Sequence, residues 1–447
     1  MGLCQLVLTT DFSIVSVALP SIGRSLQASP TLLSWVVSAT ALTFAGFLVL
    51  GGRLSDLLGH RRCLLAGLVL FGAGSLCAAS STSIYMLIPS RALQGLGAAL
   101  LSPASFSLIT TLIPEGRPRH RALGVFGMMQ GASVIIGLVV GGYLTTLLGW
   151  RSVFLLNAPF ILLAIGLVFR VVPRAGAMDL GVFKSALGAA LLTFATAMLL
   201  WSFSLLGEMR HGSYLGLAVF VLALAAFGAF FFFESRAVAP LVPRAIYTPA
   251  LIAGAMGGAG LLAGVAGVFI LANLYMQTVL KFSAASSGLG MLPYALSVVL
   301  AGQLMPLVLA RFTTRHAVIA GFAVNITGLA VFAATAHTLS YPIAIVIASI
   351  ITPLGSLIAF MALMGEATAG VSTQHQGLAS AVLFTCQQLG LALGGTLCLS
   401  VLAASESAHG ASPGAFALGY CVAAGLALAG LVLFLARSRM REAGAAH

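Results

Sequence analysis

Charge is what this 447-residue sequence has least of: Asp, Glu, Lys and Arg together make up 7% of it, where a soluble domain carries about a quarter. That scarcity excludes a soluble globular fold. With 60% hydrophobic residues and a mean hydropathy of +1.11, what remains is an all-α polytopic membrane protein. Lysine is nearly absent. Lys184 and Lys281 follow Phe183 and Leu280, whereas a Walker A loop needs Gly-Lys-Ser/Thr, so ATP is not the energy source and no enzyme chemistry is indicated. The six cysteines (Cys4, Cys63, Cys77, Cys386, Cys398 and Cys421) show no CxxC spacing and fall in or beside apolar segments, as small core hydrophobes do. The eight histidines form no HxxxH or Cys/His cluster, so neither a metal nor another cofactor is expected. No charged side chain lies between Met1 and Thr10. A cleavable signal peptide needs a basic n-region, and the first segment is therefore expected to be a retained helix.

What is present is a run of fourteen apolar segments, from residues 3–22 to 414–436, each near the 20 or so residues that span a bilayer as a helix. The net charge of +12 would suggest nucleic acid in a soluble protein, but its distribution gives a topology instead. With the N-terminus inside, 16 of the 21 Lys and Arg fall in cytoplasmic loops and only Arg24, Arg151, Arg210 and Lys281 fall outside. Cytoplasmic loops carry that excess, so both termini are expected to be cytoplasmic in a multi-pass protein of the cell membrane. Partners are then lipid and a small molecule, with no nucleic acid, and a monomer is expected.

Two formal charges fall well inside spans. Asp11 sits in LVLTTDFSIVSVALP with no other charged side chain from Met1 to Ile22, and Arg91 lies in the fourth segment. An isolated acid at the bilayer centre costs roughly 3 kcal/mol on insertion scales and usually faces a cavity or a partner. Asp11 is thus the leading functional candidate, and a structural pair locking the first and fourth helices is the competing reading.

An internal repeat joins the fifth and thirteenth segments. Gly124, Gly137, Leu138, Gly141, Gly142 and Leu144 coincide with Gly377, Gly390, Leu391, Gly394, Gly395 and Leu397 at an offset of 253, and Gly52 and Leu54 echo Gly302 and Leu304 at 250. The helix numbering matches if two helices are inserted between halves. The expected division is an N-terminal six-helix bundle over 1–172, a two-helix insert and linker over 173–240 and a C-terminal six-helix bundle over 241–447. Parallel six-helix halves are the plan of one transporter fold, with the substrate site near mid-membrane between them.

The run GGRLSDLLGHRR closes the second segment. Gly52 and Gly59 permit a tight backbone, and Asp56 can accept from a neighbouring helix N-terminus or an arginine. Together with Arg61 and Arg62 this forms a candidate conformational latch. Here the chain resembles the major facilitator superfamily, whose signature loop has the form G-x-L-a-D-r-x-G-r-r. Asp11 to Pro20, DFSIVSVALP, is similar to a drug:proton antiporter signature, and RALQGLGAA from Arg91 is similar to the family's fourth-helix motif. With fourteen helices these are similar to the drug:proton antiporter (EmrB/QacA-like) branch. The fifth helix departs from that branch: Leu138 stands where its G-P-x-x-G-G motif has proline, while Gly137, Gly141 and Gly142 remain as a small-residue packing face. Trp150, Arg151 and Asn157 follow the family's W-R-x-x-F-x-x-N-x-P run at an external turn, with Trp150 as an interfacial anchor.

The resemblance implies the major facilitator fold and a proton gradient as the drive, with Arg91 taking part in proton transfer to and from Asp11. It implies a proton-coupled exporter of hydrophobic, cationic or aromatic small molecules. A dedicated exporter of one secondary metabolite and a non-transporting receptor on the same fold are the alternatives. Asp11, Gln94, Gln130, Asn273, Gln277, Gln387 and Gln388 are the candidate cavity residues, each also readable as a helix-to-helix hydrogen bond.

Overall fold

A computed structural model describes residues 1–114, 116–173, 186–207, 214–237, 240–243, 246–282, 284–335, 341–369, 371–409 and 413–444. Every regular element among them is helical. The first half comprises α1 (Gly2–Leu26), α2 (Pro30–Leu58), α3 (His60–Ala79), α4 (Ile84–Leu112), α5 (Arg117–Leu148), α6 (Arg151–Leu155) and α7 (Asn157–Val171). After it come α8 (Ala186–Gly207) and α9 (Tyr214–Arg236). The second half comprises α10 (Pro249–Thr278), α11 (Ala284–Gly290), α12 (Leu292–Arg311), α13 (Thr314–Thr335), α14 (Tyr341–Thr368), α15 (Gln376–His409) and α16 (Pro413–Gly444).

Among the described residues, twelve spans, with α6 and α7 counted as one, are long and apolar enough to cross a membrane. α1 adds a span bent by 56° between Gly2–Val15 and Val17–Leu26, and α8 adds the shorter apolar stretch Ala190–Phe203. Twelve of the fourteen segments expected from the sequence are thus matched by spanning helices and a thirteenth by the bent α1, while α8 stands at the remaining one as a shorter stretch. Short connections make successive spans antiparallel, so the ends bearing Arg53, Arg61, Arg62, Arg117, Arg119 and Arg121 share the face on which α1 begins and α15 starts. This is called the basic face below. Arg174, Lys184, Arg210 and Arg244, also used to orient the chain, lie outside the described residues.

The glycines of the internal repeat do equivalent work in the two halves. A Cβ on Gly137 or Gly141 of α5 would run into α1 at Ser13 and Ile14, and one on Gly390 or Gly394 of α15 would run into the α10 carbonyls of Ala259 and Ala263. The same two helices also cross between halves. α5 meets α12 where a Cβ on Gly124 would lie 2.7 Å from the Gly302 oxygen and one on Gly302 would lie 2.9 Å from the Gly124 oxygen. α2 meets α15 where a Cβ on Gly52 would strike the Gly377 oxygen and Ala381. In hydrocarbon no hydrophobic force distinguishes helix from lipid, so close backbone approach at small residues supplies the packing. The 253 and 250 offsets therefore mark two seams related by the pseudo-symmetry of the fold.

Candidate functional site

Two neighbouring features make up the site: a buried ionic cluster within the first half and an uncharged cavity between the halves. In the cluster, Arg91 Nη1 donates to Asp11 Oδ2 at 2.6 Å, and Gln94 Nε2 and Asn157 Nδ2 each donate to Asp11 Oδ1 at 3.0 Å. Ser75 Oγ accepts from the same two amides at 2.9 and 2.8 Å. Arg91 also donates from Nη1 to Gln94 Oε1 at 2.6 Å and from Nε to the Val36 carbonyl at 3.0 Å, and its guanidinium lies 5.8 Å from the Phe154 ring centre. Asp11 and Arg91 are each 1% exposed. Removing two ions from water costs several kcal/mol apiece unless geometry and extra hydrogen bonds compensate, and here four helices contribute to that compensation. Gly137 and Gly141 hold α1 against α5 at Thr10, Ser13 and Ile14, the residues flanking Asp11 along the helix.

The cavity holds about 900 Å³, within the range of small-molecule sites. From the first half come Thr9, Phe12 and Ser13 of α1, Trp35 and Ser38 of α2, and Gln130 of α5. From the second come Phe269, Tyr294, Phe360, Gln388 and Thr396, and α8 adds Trp201 and Phe203. These positions run from the middle of α1 and α5 to the ends of α2 and α8 away from the basic face. No Asp, Glu, Lys, Arg or His lines it among the described residues. An aromatic face returns about 2 kcal/mol or more to a desolvated cation, against several kcal/mol to strip it of water, and no carboxylate among the described lining residues makes up the difference. The lining therefore favours uncharged, apolar guests.

Of the residues expected to line the cavity, Gln130 and Gln388 do so, and the others correct the sequence reading. Asp11 and Gln94 lie off the cavity because their polar atoms are spent in the cluster; α1 turns Thr9, Phe12 and Ser13 to the cavity and Asp11 the other way. Gln387 is buried against Gly258 and Met364, with Nε2 3.5 Å from the Met364 sulfur. Asn273 and Gln277 bond to each other one turn apart on α10, where Gln277 is exposed. Gly142 meets only Val17, at 3.7 Å, so unlike Gly137 and Gly141 it is not needed for close approach. The side chain of Leu138 lies outside the described ones. Trp150 is 3% exposed, edge-on to Phe154, and so packs in the core instead of anchoring an interface.

On the basic face, α2 passes into α3 through Gly59 alone, at φ 90°, a left-handed conformation that glycine reaches without steric cost. Asp56 faces the second half: Oδ1 accepts from the Gly377 amide at 2.7 Å and Oδ2 from the Leu378 amide at 2.8 Å. The first N–H groups of a helix have no partner within it and carry a partial positive charge, so the carboxylate caps α15. Arg61 and Arg62 do not reach across; they bond to the carbonyls of Phe169 and Leu58. Gln376, missed in the sequence, completes the crossing. It accepts from Thr110 of α4 at 3.2 Å and donates to the Thr368 and Val371 carbonyls at 3.2 and 2.8 Å.

Comparison with known proteins accords with this arrangement. A family model described as Major Facilitator Superfamily matches residues 1–395. The chain is 33% identical to the puromycin resistance protein pur8 of Streptomyces alboniger, over 96% of this chain and 87% of that protein. It is 34% identical to the cephamycin export protein CmcT of Amycolatopsis lactamdurans, over 95% and 87%. Among solved structures, the proton:xylose symporter XylE superposes with a TM-score of 0.68 at 15% identity, over 96% of this chain and 93% of that one.

Proposed function

This chain belongs to the Major Facilitator Superfamily, and from that premise we propose that it is a proton-coupled exporter of hydrophobic, chiefly aromatic small molecules, a multidrug or antibiotic efflux pump. The observation that carries the reading is an uncharged cavity of about 900 Å³ walled by the helix whose other face holds a fully paired, buried Asp11. Relatives named for puromycin resistance and cephamycin export point the same way. The excess of Lys and Arg in the loops on the basic face supports a cytoplasmic position for that face and both termini, in a chain of the cell membrane. The working unit is a monomer of two bundles, 1–172 and 241–447, joined by the insert 173–240.

With the basic face closed by Asp56, the cavity is in its outward-facing form. Substrate leaves there, and a proton reaches Asp11. Once neutral, Asp11 no longer offsets the Arg91 charge, and the pair loosens. Thr9, Phe12 and Ser13 share α1 with Asp11, so movement of that bent helix reshapes the cavity without proton and substrate contending for one spot. For a neutral substrate each exchanged proton carries net charge inward, so the membrane potential adds roughly 2.3 kcal/mol per 100 mV to the pH gradient. The test is efflux of the neutral dye Nile red from cells lacking other pumps. An uncoupler should cut the efflux at least tenfold; efflux that persists in its presence overturns the proton drive.

The lack of any formal charge on the lining among the described residues also favours a narrower reading, a dedicated exporter of one antibiotic class. A drug-susceptibility panel separates the two, since a dedicated exporter protects against a single chemical class.

A further inference from the structure

The inserted helix α8 belongs to neither six-helix half, yet it is part of the cavity wall. Leu200, Trp201, Phe203 and Leu205 line the cavity with Trp35 of α2 opposite. The Trp35 and Trp201 ring centres are 6.3 Å apart and the planes are inclined at 58°. Two features fix α8 in place. Thr396 Oγ1 of α15 donates to the Phe203 carbonyl at 2.9 Å, and Gly46 of α2 leaves room for Thr193 of α8, whose carbonyl would lie 3.4 Å from a Cβ there. Phe203 packs in turn on Phe220 of α9, 6.3 Å between centres. α8 thus fills the gap between α2 and α15 on the side away from the basic face.

We propose that Trp35 and Trp201 form an aromatic corner that binds a flat, uncharged aromatic compound, so that the inserted helix is a specificity-determining element of the substrate site. This rests on the export reading above and goes beyond it in naming where and what the site binds. Inclined rings offer a flat solute one face to lie on and a second ring for its edge, the geometry aromatic pairs prefer. The hydroxyls of Ser38 and Thr396 and the amides of Gln130 and Gln388 supply neutral hydrogen-bonding groups, and among the described residues no carboxylate lines the cavity to hold a cation.

Nile red, neutral and planar, and ethidium, planar and cationic, are the probes, titrated against the purified full-length protein. Three tryptophans are present. Bound Nile red is expected to quench Trp35 and Trp201, about two-thirds of the emission, leaving Trp150 in its core. Trp201→Ala should weaken Nile red binding at least tenfold with an unchanged melting temperature, Trp201→Phe should recover it to within threefold of wild type, and ethidium should bind wild type at least tenfold more weakly. Unquenched emission on saturation overturns the proposal without recourse to any variant. So does Trp201→Ala binding at wild-type strength, or ethidium binding as tightly as Nile red. Efflux in cells is scored separately: Nile red bound as expected but not exported sinks the transport reading and leaves the aromatic corner standing.

Discussion

Asp11→Asn is expected to lower both stability and transport, and the double variant with Arg91→Gln to separate the two effects. In the single variant Arg91 keeps its hydrogen bonds to Gln94 and Val36 but loses its counter-charge. Removing one member of a buried ion pair typically costs about 3–5 kcal/mol, because the survivor is left charged and uncompensated. A lower melting temperature in detergent and at least tenfold slower dye efflux follow. The double variant removes both charges, so amide-to-amide hydrogen bonds take their place and much of the stability returns. If transport stays lost while stability recovers, the pair carries the proton. If both recover, the cluster is only a brace between α1 and α4, and the proton must be loaded elsewhere.

The second large effect is expected at the α2/α15 seam. Gly52→Val places methyl groups where the Gly377 oxygen and Ala381 already sit, and both neighbours are on a helix that cannot yield locally. The basic face can then close only by separating the two helices, so the population shifts to the form open on that face. Asp56→Asn acts in the same direction more gently. It replaces two charge-assisted hydrogen bonds to the start of α15 by one neutral acceptor, a loss of roughly 1.5–3 kcal/mol, or about ten- to a hundredfold in the closed-to-open ratio. The measurement is labelling by an impermeant maleimide, from the basic face, of Thr110→Cys on a cysteine-free background. Thr110 is 8% exposed and bonded to Gln376 when the seam is shut. Labelling should rise at least tenfold in Gly52→Val; unchanged labelling would remove the seam from the gating account.

The spans themselves were legible because fourteen stretches of apolar residues are separated by loops that hold nearly all the charge. The two halves were legible from glycines at constant offsets, which survive because a side chain at Gly137 or Gly390 collides with a neighbouring helix. Asp11, Arg91 and Asp56 stood out because charge within or beside hydrocarbon has few physical excuses. What the sequence does not reveal is which face of a helix points where. In a membrane both the lipid side and the packed side of a helix are apolar, so no periodic pattern told Gln388 on the cavity from Gln387 in the core, or turned Asp11 away from Phe12. The part played by Asn157 and Ser75 was hidden for the same reason, since their partners are 146 residues and 19 residues away. Trp201 lies in a segment read as an insert, and only its contact with Trp35 shows that the insert reaches the cavity.

The two seams on the basic face are built alike but fastened differently. The position that matches Asp56 at the 250 offset is Pro306, which sits against Gly124 of α5. α5 begins at Arg117, so the Gly124 amide already donates within its own helix, whereas Gly377 is the second residue of α15 and its amide is free for a carboxylate. One seam thus has an ionic clasp that can be undone, where the matching position of the other is a proline packed on a glycine. Such a pair is expected to open asymmetrically: like a book, the molecule would part along the α2/α15 margin and turn about α5/α12 as its spine.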